Sequence, residues 1–276
     1  MSARLAFSKM SGAGNDFVVL DGPTWEAVPG DREAWVRAVC RRGLSVGADG
    51  VLVVSPSGSG RVRVKFFNPD GGEAFCGNGS RCAARFAATR GIVGTNTMIL
   101  ETLVGEVPAV VTRGLVTLTL PPPEDRGEVV VNASAGNFRG RWVVAGVPHF
   151  VVPVAGLAAY PLWSVGPELR RHAALGPDGV NVDLVENDAA GRVHVRTFER
   201  GVESETLACG TGAVAVAFAA RRGGSGETVV VVPRSGLPLS VTLAGDPSRP
   251  ASVTLTGDAR FVFTGVLDPE AIVGAS

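Results

Sequence analysis

Two stretches alternate apolar and polar residues with the period of a half-buried strand: Val62–Asn68 (VRVKFFN) and Val193–Glu199 (VHVRTFE). Each runs through a polar turn into a block that opens Cys-Gly-x-Gly and continues in alanine. The blocks are CGNGSRCAARFAATRG from Cys76 and CGTGAVAVAFAARRGG from Cys209. Alanine favours helix. Gly91 and Gly224, each fifteen positions after its cysteine, suit a helix stop, and Arg90, Arg221 and Arg222 suit the negative helix end before it. A further helix is expected at about Asp31–Arg42, and the rest reads mostly as short Val- and Thr-rich strands. From Val143 to Leu169 only Glu168 carries a formal charge, but Pro148, Pro153, Pro161 and Pro167 interrupt the run. It is read as buried strand and loop, not as a membrane span.

The two blocks stand 133 residues apart, and FVV at Phe17–Val19 returns as FVV at Phe150–Val152 with the same offset. Such self-similarity marks a duplicated architecture. Two homologous lobes are expected, each a sheet with one central helix, related by a pseudo-twofold.

A formal net charge of zero, with 45% hydrophobic and 19% charged residues, argues against a disordered chain and against a general nucleic-acid binder, which needs clustered excess cations. The opening residues lack the apolar stretch of a secretory signal, so a cytoplasmic protein is expected. The four cysteines, Cys40, Cys76, Cys82 and Cys209, then read as reduced thiols, and neither a CxxC pair nor clustered histidines suggests a metal site. With only Lys9 and Lys65 available, a Schiff-base cofactor is poorly provided for.

Cys76 and Cys209 each sit where a strand and turn hand over to a helix. Free N–H groups of the first turn and the helix dipole put positive potential there, and Gly77, Gly79, Gly210 and Gly212 leave room for an anion to approach. Helix N-termini can lower a cysteine pKa, and a fall of about 1.5 units would ionise half of an ordinary thiol at neutral pH. Two such thiols close together would not both ionise, which gives a base and an acid. A carbon held between them can lose a proton to one face and regain one on the other, inverting its configuration. Cys40 and Cys82 lack the glycines and read as core residues. A thiol oxidoreductase and a non-catalytic binding protein are the rival readings.

These residues resemble the diaminopimelate epimerase family. The likeness is carried by KMSGAGNDF (Lys9–Phe17), GADG (Gly47–Gly50), NPDGGEAFCGNGSRC (Asn68–Cys82), GVPHFVV (Gly146–Val152), GVNVDLVE (Gly179–Glu186) and ERGVESETLACGTGA (Glu199–Ala213). The resemblance implies an α+β fold of two lobes, each a mostly antiparallel sheet around a central helix. The boundaries are 1–120, completed by a returning strand within 262–276, and 121–261, with the active site in the cleft between them. It implies cofactor-independent epimerisation of LL- to meso-2,6-diaminopimelate, with Cys76 and Cys209 as the catalytic thiols and His149 and Glu199 supporting them. Substrate binding falls on Asn15, Asn68, Gly77, Asn78, Asn181, Glu199, Arg200, Gly210 and Thr211. No cofactor and no metal are expected; the partner is a small amino acid, without nucleic acid or membrane, and a homodimer is compatible with the reading. Val147 stands where members commonly carry Asn, and Gly50 where some carry Gln. The turn from Asn68 to Cys76 is one residue shorter than the usual pattern, and that from Glu199 to Cys209 one longer. Relatives acting on proline or histidine are the alternatives within the same fold.

Overall fold

A computed structural model of the chain describes residues 4–224 and 226–272; positions 273–276 of the expected returning strand lie outside the described residues. The chain divides into two compact units, Met1–Leu118 with Asp258–Ser276, and Thr119–Gly257.

In the first unit β1 (Leu5–Gly12) and β2 (Asn15–Asp21) pair antiparallel. Short α1 (Gly22–Glu26) and then α2 (Arg32–Val39) carry the chain to β3 (Gly50–Gly58), parallel to β2. β4 (Arg61–Phe67) returns antiparallel, followed by the two-residue β5 (Glu73–Ala74). The chain then enters α3 (Gly77–Thr89) and crosses to β6 (Thr97–Thr102), parallel to β4. β7 (Gly105–Thr112) and β8 (Leu115–Leu120) continue antiparallel.

The second unit repeats this plan. β9 (Glu124–Ala133), β10 (Gly136–Ala145) and β11 (Val147–Pro153) run antiparallel, and α4 (Leu162–Arg170) leads to β12 (Asn181–Asn187), parallel to β11. β13 (Val193–Glu199) returns, β14 (Ser204–Thr206) is the short companion, and α5 (Gly210–Arg222) crosses to β15 (Thr228–Val232), parallel to β13. β16 (Leu239–Asp246) and β17 (Arg249–Asp258) complete the unit. β18 (Arg260–Leu267) then pairs with β1, taking beside it the place that β9 takes beside β10.

α3 and α5 are buried on nearly every side, most of their residues being small or apolar, and α3 also buries Asn78 and Arg81. α3 packs on β1, β2, β3, β4, β6 and β7; α5 packs on β10, β11, β12, β13, β15 and β16. Alanines on both helices let the strands come close, while Phe86 and Phe218 fill the wider space. The terminal arginines tie the helix ends to neighbouring strands. Arg90 donates to Ser8 Oγ (3.0 Å) and lies over the rings of Phe86 and Phe261, and Arg221 donates to the carbonyl of Gly245.

The segment Val143–Leu169 departs from the strand-and-loop expectation, because its last part begins the helix α4. Pro161 stands at its N-cap, where the absence of an N–H costs nothing. Pro167 lies inside the helix and forgoes a hydrogen bond to Trp163, an exposed residue. Leu162, Val165 and Leu169 form an apolar stripe buried against Phe150, Val182, Leu184 and Phe198, and this burial outweighs the broken bond. α2 supplies the matching layer in the first unit, with Trp35, Val36 and Val39 over Val18, Leu20, Val51 and Val53.

Candidate active site

Cys76 is the N-cap of α3: its extended backbone ends the turn after β5, and its sulfur accepts from Gly79 N–H at 3.3 Å. Its carbonyl accepts from both the N–H and the hydroxyl of Ser80 (2.8 and 2.9 Å), which fixes the first turn. Beside it runs a chain of side-chain hydrogen bonds. Arg81 Nη2 donates to Asn78 Oδ1 (2.9 Å), Asn78 Nδ2 to Asn15 Oδ1 (2.5 Å), and Asn15 Nδ2 to Asp49 Oδ2 (3.0 Å). The guanidinium has only donors and the carboxylate only acceptors, so the orientation of both amides is set from the two ends. Three expected binding positions, Asn15, Gly77 and Asn78, thus gather around Cys76. Asn68 closes the turn between β4 and β5 through its backbone, with Gly71 N–H on its carbonyl and its own N–H on Gly72.

Cys209 is the N-cap of α5, with Gly212 N–H on its sulfur at 3.4 Å. Thr211 Oγ1 lies 3.3 Å from that sulfur and 3.0 Å from His149 Nε2. His149 is fully buried; its Nδ1 is 2.7 Å from Asp183 Oδ2, and Thr197 donates to Asp183 Oδ1 at 2.7 Å. With the carboxylate ionised and the ring neutral, Nδ1 carries the proton and Nε2 accepts, because a carboxylate cannot donate. A sulfhydryl, a hydroxyl, an imidazole and a carboxylate therefore form one directed chain. Asn181 is buried, holds the N–H of Arg200 with its Oδ1 (2.7 Å), and places Nδ2 3.4 Å from His149 Nε2. Glu199 is the last residue of β13, Arg200 follows it, and Gly210 begins α5.

The lowered thiol pKa expected from helix position does not hold at Cys209. Burial pushes this thiol well up, and the carboxylates of Glu199 and Asp183 push the same way; the Thr211 hydroxyl and Gly212 N–H pull it down without offsetting them. Cys209 rests as the protonated thiol.

The glycines divide by role. A Cβ at Gly79 would lie 3.1 Å from Leu52, and one at Gly212 would lie 2.9 Å from Asp183 Oδ1. Those two positions are glycine because the helix packs there, rather than to admit an anion. A Cβ at Gly77 meets nothing within 4 Å. At Gly50 a side chain would overlap the Phe66 ring and come within 2.5 Å of the Phe67 carbonyl, so no Gln fits at that position of this chain.

Asp49, Arg81 and Asp183 are absent from the residues expected from sequence. Asp183 follows Asn181 by two on β12 and so shares its face, a signal the segment VNVDLV carried. Arg81 is the one charged residue in the first turns of α3. Among the described residues no group of three or more His, Cys, Asp or Glu side chains could hold a metal ion, and no helix is long and apolar enough to cross a membrane.

A duplicated α+β unit with a thiol capping the buried helix of each half has the fold of racemases and epimerases. A probable proline racemase from Agrobacterium radiobacter K84 superposes with a TM-score of 0.71 at 20% identity, covering 97% of this chain and 95% of that one. A phenazine biosynthesis protein of the PhzF family from Enterococcus faecalis gives 0.72 at 15% identity, covering 96% and 100%. The family model described as diaminopimelate epimerase matches residues 7–114 and 141–262. Curated diaminopimelate epimerases from Aquifex aeolicus (41% identical; 88% of this chain, 91% of the relative) and Archaeoglobus fulgidus (40%; 96% of each) align along most of the length. The chain belongs to the diaminopimelate epimerase family, and is an isomerase.

Proposed function

We propose that this chain interconverts LL- and meso-2,6-diaminopimelate without a cofactor, using Cys76 and Cys209 as an acid–base pair on one α-carbon. The observation that carries the reading is the matched pair of N-cap thiols, each holding the N–H three residues on. One sulfur, as thiolate, takes the α-proton; the carbanion formed is protonated on its opposite face by the other sulfur's S–H, and the configuration inverts. No electrons are exchanged, and the pair ends with its proton transposed. First-turn N–H groups of α3 and α5 favour the substrate carboxylate and the charge that builds as the proton leaves.

In this reading Gly77, Asn78, Gly210 and Thr211 serve the carboxylate at the reacting carbon, and Glu199 is among the groups toward its ammonium. Asn15, Asn68, Asn181 and Arg200 serve the distal amino-acid head, while His149 tunes Cys209 through Thr211. The meso product suits lysine and peptidoglycan precursor synthesis in the cytoplasm. A homodimer through β18 is part of the proposal, since Val262, Phe263 and Val266 on that strand are exposed. A monomer by sedimentation at micromolar concentration would remove that part.

The decisive experiment incubates the enzyme with LL-diaminopimelate in deuterium oxide. Wild type incorporates solvent deuterium at the α-carbon and accumulates the meso form, and Cys76→Ser and Cys209→Ser each lose most epimerisation. Full activity in either variant, or turnover of proline or histidine in preference, overturns the reading.

A further inference from the structure

The duplication is broken at three places around the thiols. Arg81, five residues beyond Cys76, is matched by Val214, five beyond Cys209. Asp183 is matched by Val51, since Phe150 pairs with Val182 as Phe17 pairs with Gly50. Glu199 at the end of β13 is matched by Asn68 just after β4. One half carries a guanidinium where the other has an apolar side chain, and the other carries two carboxylates where the first has none.

Arg81 is fully buried. Its Nη2 donates to Asn78 Oδ1 (2.9 Å) and its Nε to the backbone carbonyl of Asp258 (3.3 Å), while Nη1 has no hydrogen-bond partner among the described residues. Neither acceptor carries a formal charge. The ionisable groups around it are Cys76 capping α3, Cys82 on that helix, Asp258 ending β17, and Arg260 opening β18. Asp258 is shared, with Arg260 Nε at 2.7 Å and the Ala13 N–H at 2.8 Å. The other charges on strands against α3 are engaged elsewhere. Lys9 pairs with Asp16, Arg61 with Glu101 and Glu106, and Arg63 with Glu101; Asp21 caps α1, and Lys65 is exposed. One carboxylate thus faces two guanidiniums, leaving one positive charge uncompensated. Burial holds Cys82 neutral, which leaves Cys76 to balance it.

We propose that Arg81 is the positioning residue that places the resting negative charge of the thiol pair on Cys76, leaving Cys209 as the proton donor. This rests on the two-thiol reading above and adds its polarity: the free enzyme is poised to take a proton at Cys76.

The test is the pH dependence of iodoacetamide alkylation of the full chain, with each cysteine followed by peptide mass spectrometry. In wild type Cys76 should alkylate with a midpoint below that of an ordinary thiol, about 8.5, and Cys209 with a midpoint above it. Arg81→Met should raise the Cys76 midpoint by about one unit or more, slowing its reaction at pH 7 about tenfold, and Arg81→Lys should restore most of that rate. Should Arg81→Met not fold, Asp258→Asn supplies the opposite sign: removing the shared carboxylate should lower the Cys76 midpoint. Equal midpoints for the two cysteines in wild type overturn the proposal. So does a Cys76 midpoint indifferent to both Arg81→Met and Asp258→Asn. If Cys76→Ser and Cys209→Ser abolish epimerisation while these midpoints stay flat, the two-thiol reading stands and only the assignment to Arg81 falls. If the two serine variants remain active, the underlying reading has failed, whatever the midpoints show.

Discussion

His149 Nδ1 and Asp183 Oδ2 lie 2.7 Å apart, and neither side chain is exposed to solvent. The contact spans 34 residues of sequence and exists because β11 and β12 pair in parallel with His149 opposite Asn181. Asp183→Asn keeps the volume but replaces one of the two accepting oxygens, shared between His149 and Thr197, with an amide donor, so the imidazole tautomer is no longer fixed. We expect kcat to fall by about tenfold or more with KM changed less than about threefold, measured by steady-state epimerisation alongside a thermal melt. An unchanged kcat in a folded variant would show that the imidazole is oriented by other means.

Glu199 holds the Cys209 thiol up after burial, so Glu199→Gln should let Cys209 ionise at lower pH. With Cys76→Ser as background, the ultraviolet titration of thiolate should move toward neutral pH when Glu199→Gln is added. A move in the opposite direction would contradict the electrostatic account.

Cys40 is pushed up to about 12 by burial, and Cys82 further, also by burial. Above the unfolded thiol pKa of about 8.5 the unfolded chain releases protons that the fold retains, so stability falls as pH rises. Below that value the term is fully present. Each fully buried thiol contributes a slope of up to about 1.4 kcal/mol per pH unit. Denaturant unfolding of Cys82→Ala between pH 8 and 10 should show a shallower loss than wild type, and an equal slope would refute the assignment.

Gly166 and Gly77 separate packing from function. A Cβ at Gly166 would lie 2.7 Å from the Phe198 ring, and Gly166→Ala should destabilise by about 1–3 kcal/mol. Gly77→Ala meets no neighbour within 4 Å and should leave stability within about 0.5 kcal/mol, while raising KM if the substrate carboxylate approaches there. Thermal melts and KM values on the two variants would show whether the effects divide this way.

The thiol-capped helices were legible because a duplicated Cys-Gly-x-Gly before an alanine run encodes both a turn and a buried helix. α4 was hidden by Pro161 and Pro167, although shifting Asp31–Arg42 by 133 places a helix over 164–175, close to Leu162–Arg170. Local breakers outweighed the repeat in the sequence, and burial of Leu162, Val165 and Leu169 outweighed them in the fold. Arg81 and Asp49 could not be placed from sequence, because their roles arise from hydrogen bonds through Asn78 and Asn15 that no local pattern predicts. Thiol ionisation was legible only in part. Helix position argues for lowering at both cysteines, whereas the Glu199 and Asp183 carboxylates around Cys209 become visible only once strand pairing brings them there.

β1 receives its outer neighbour, β18, only after the whole of Thr119–Gly257 has been made. At ~5–20 residues per second, ribosomes would hold the first unit without that strand for roughly seven to thirty seconds. During translation the amino-terminal half thus waits with an unpaired sheet margin while the second half, whose strands are contiguous in the chain, is free to finish first.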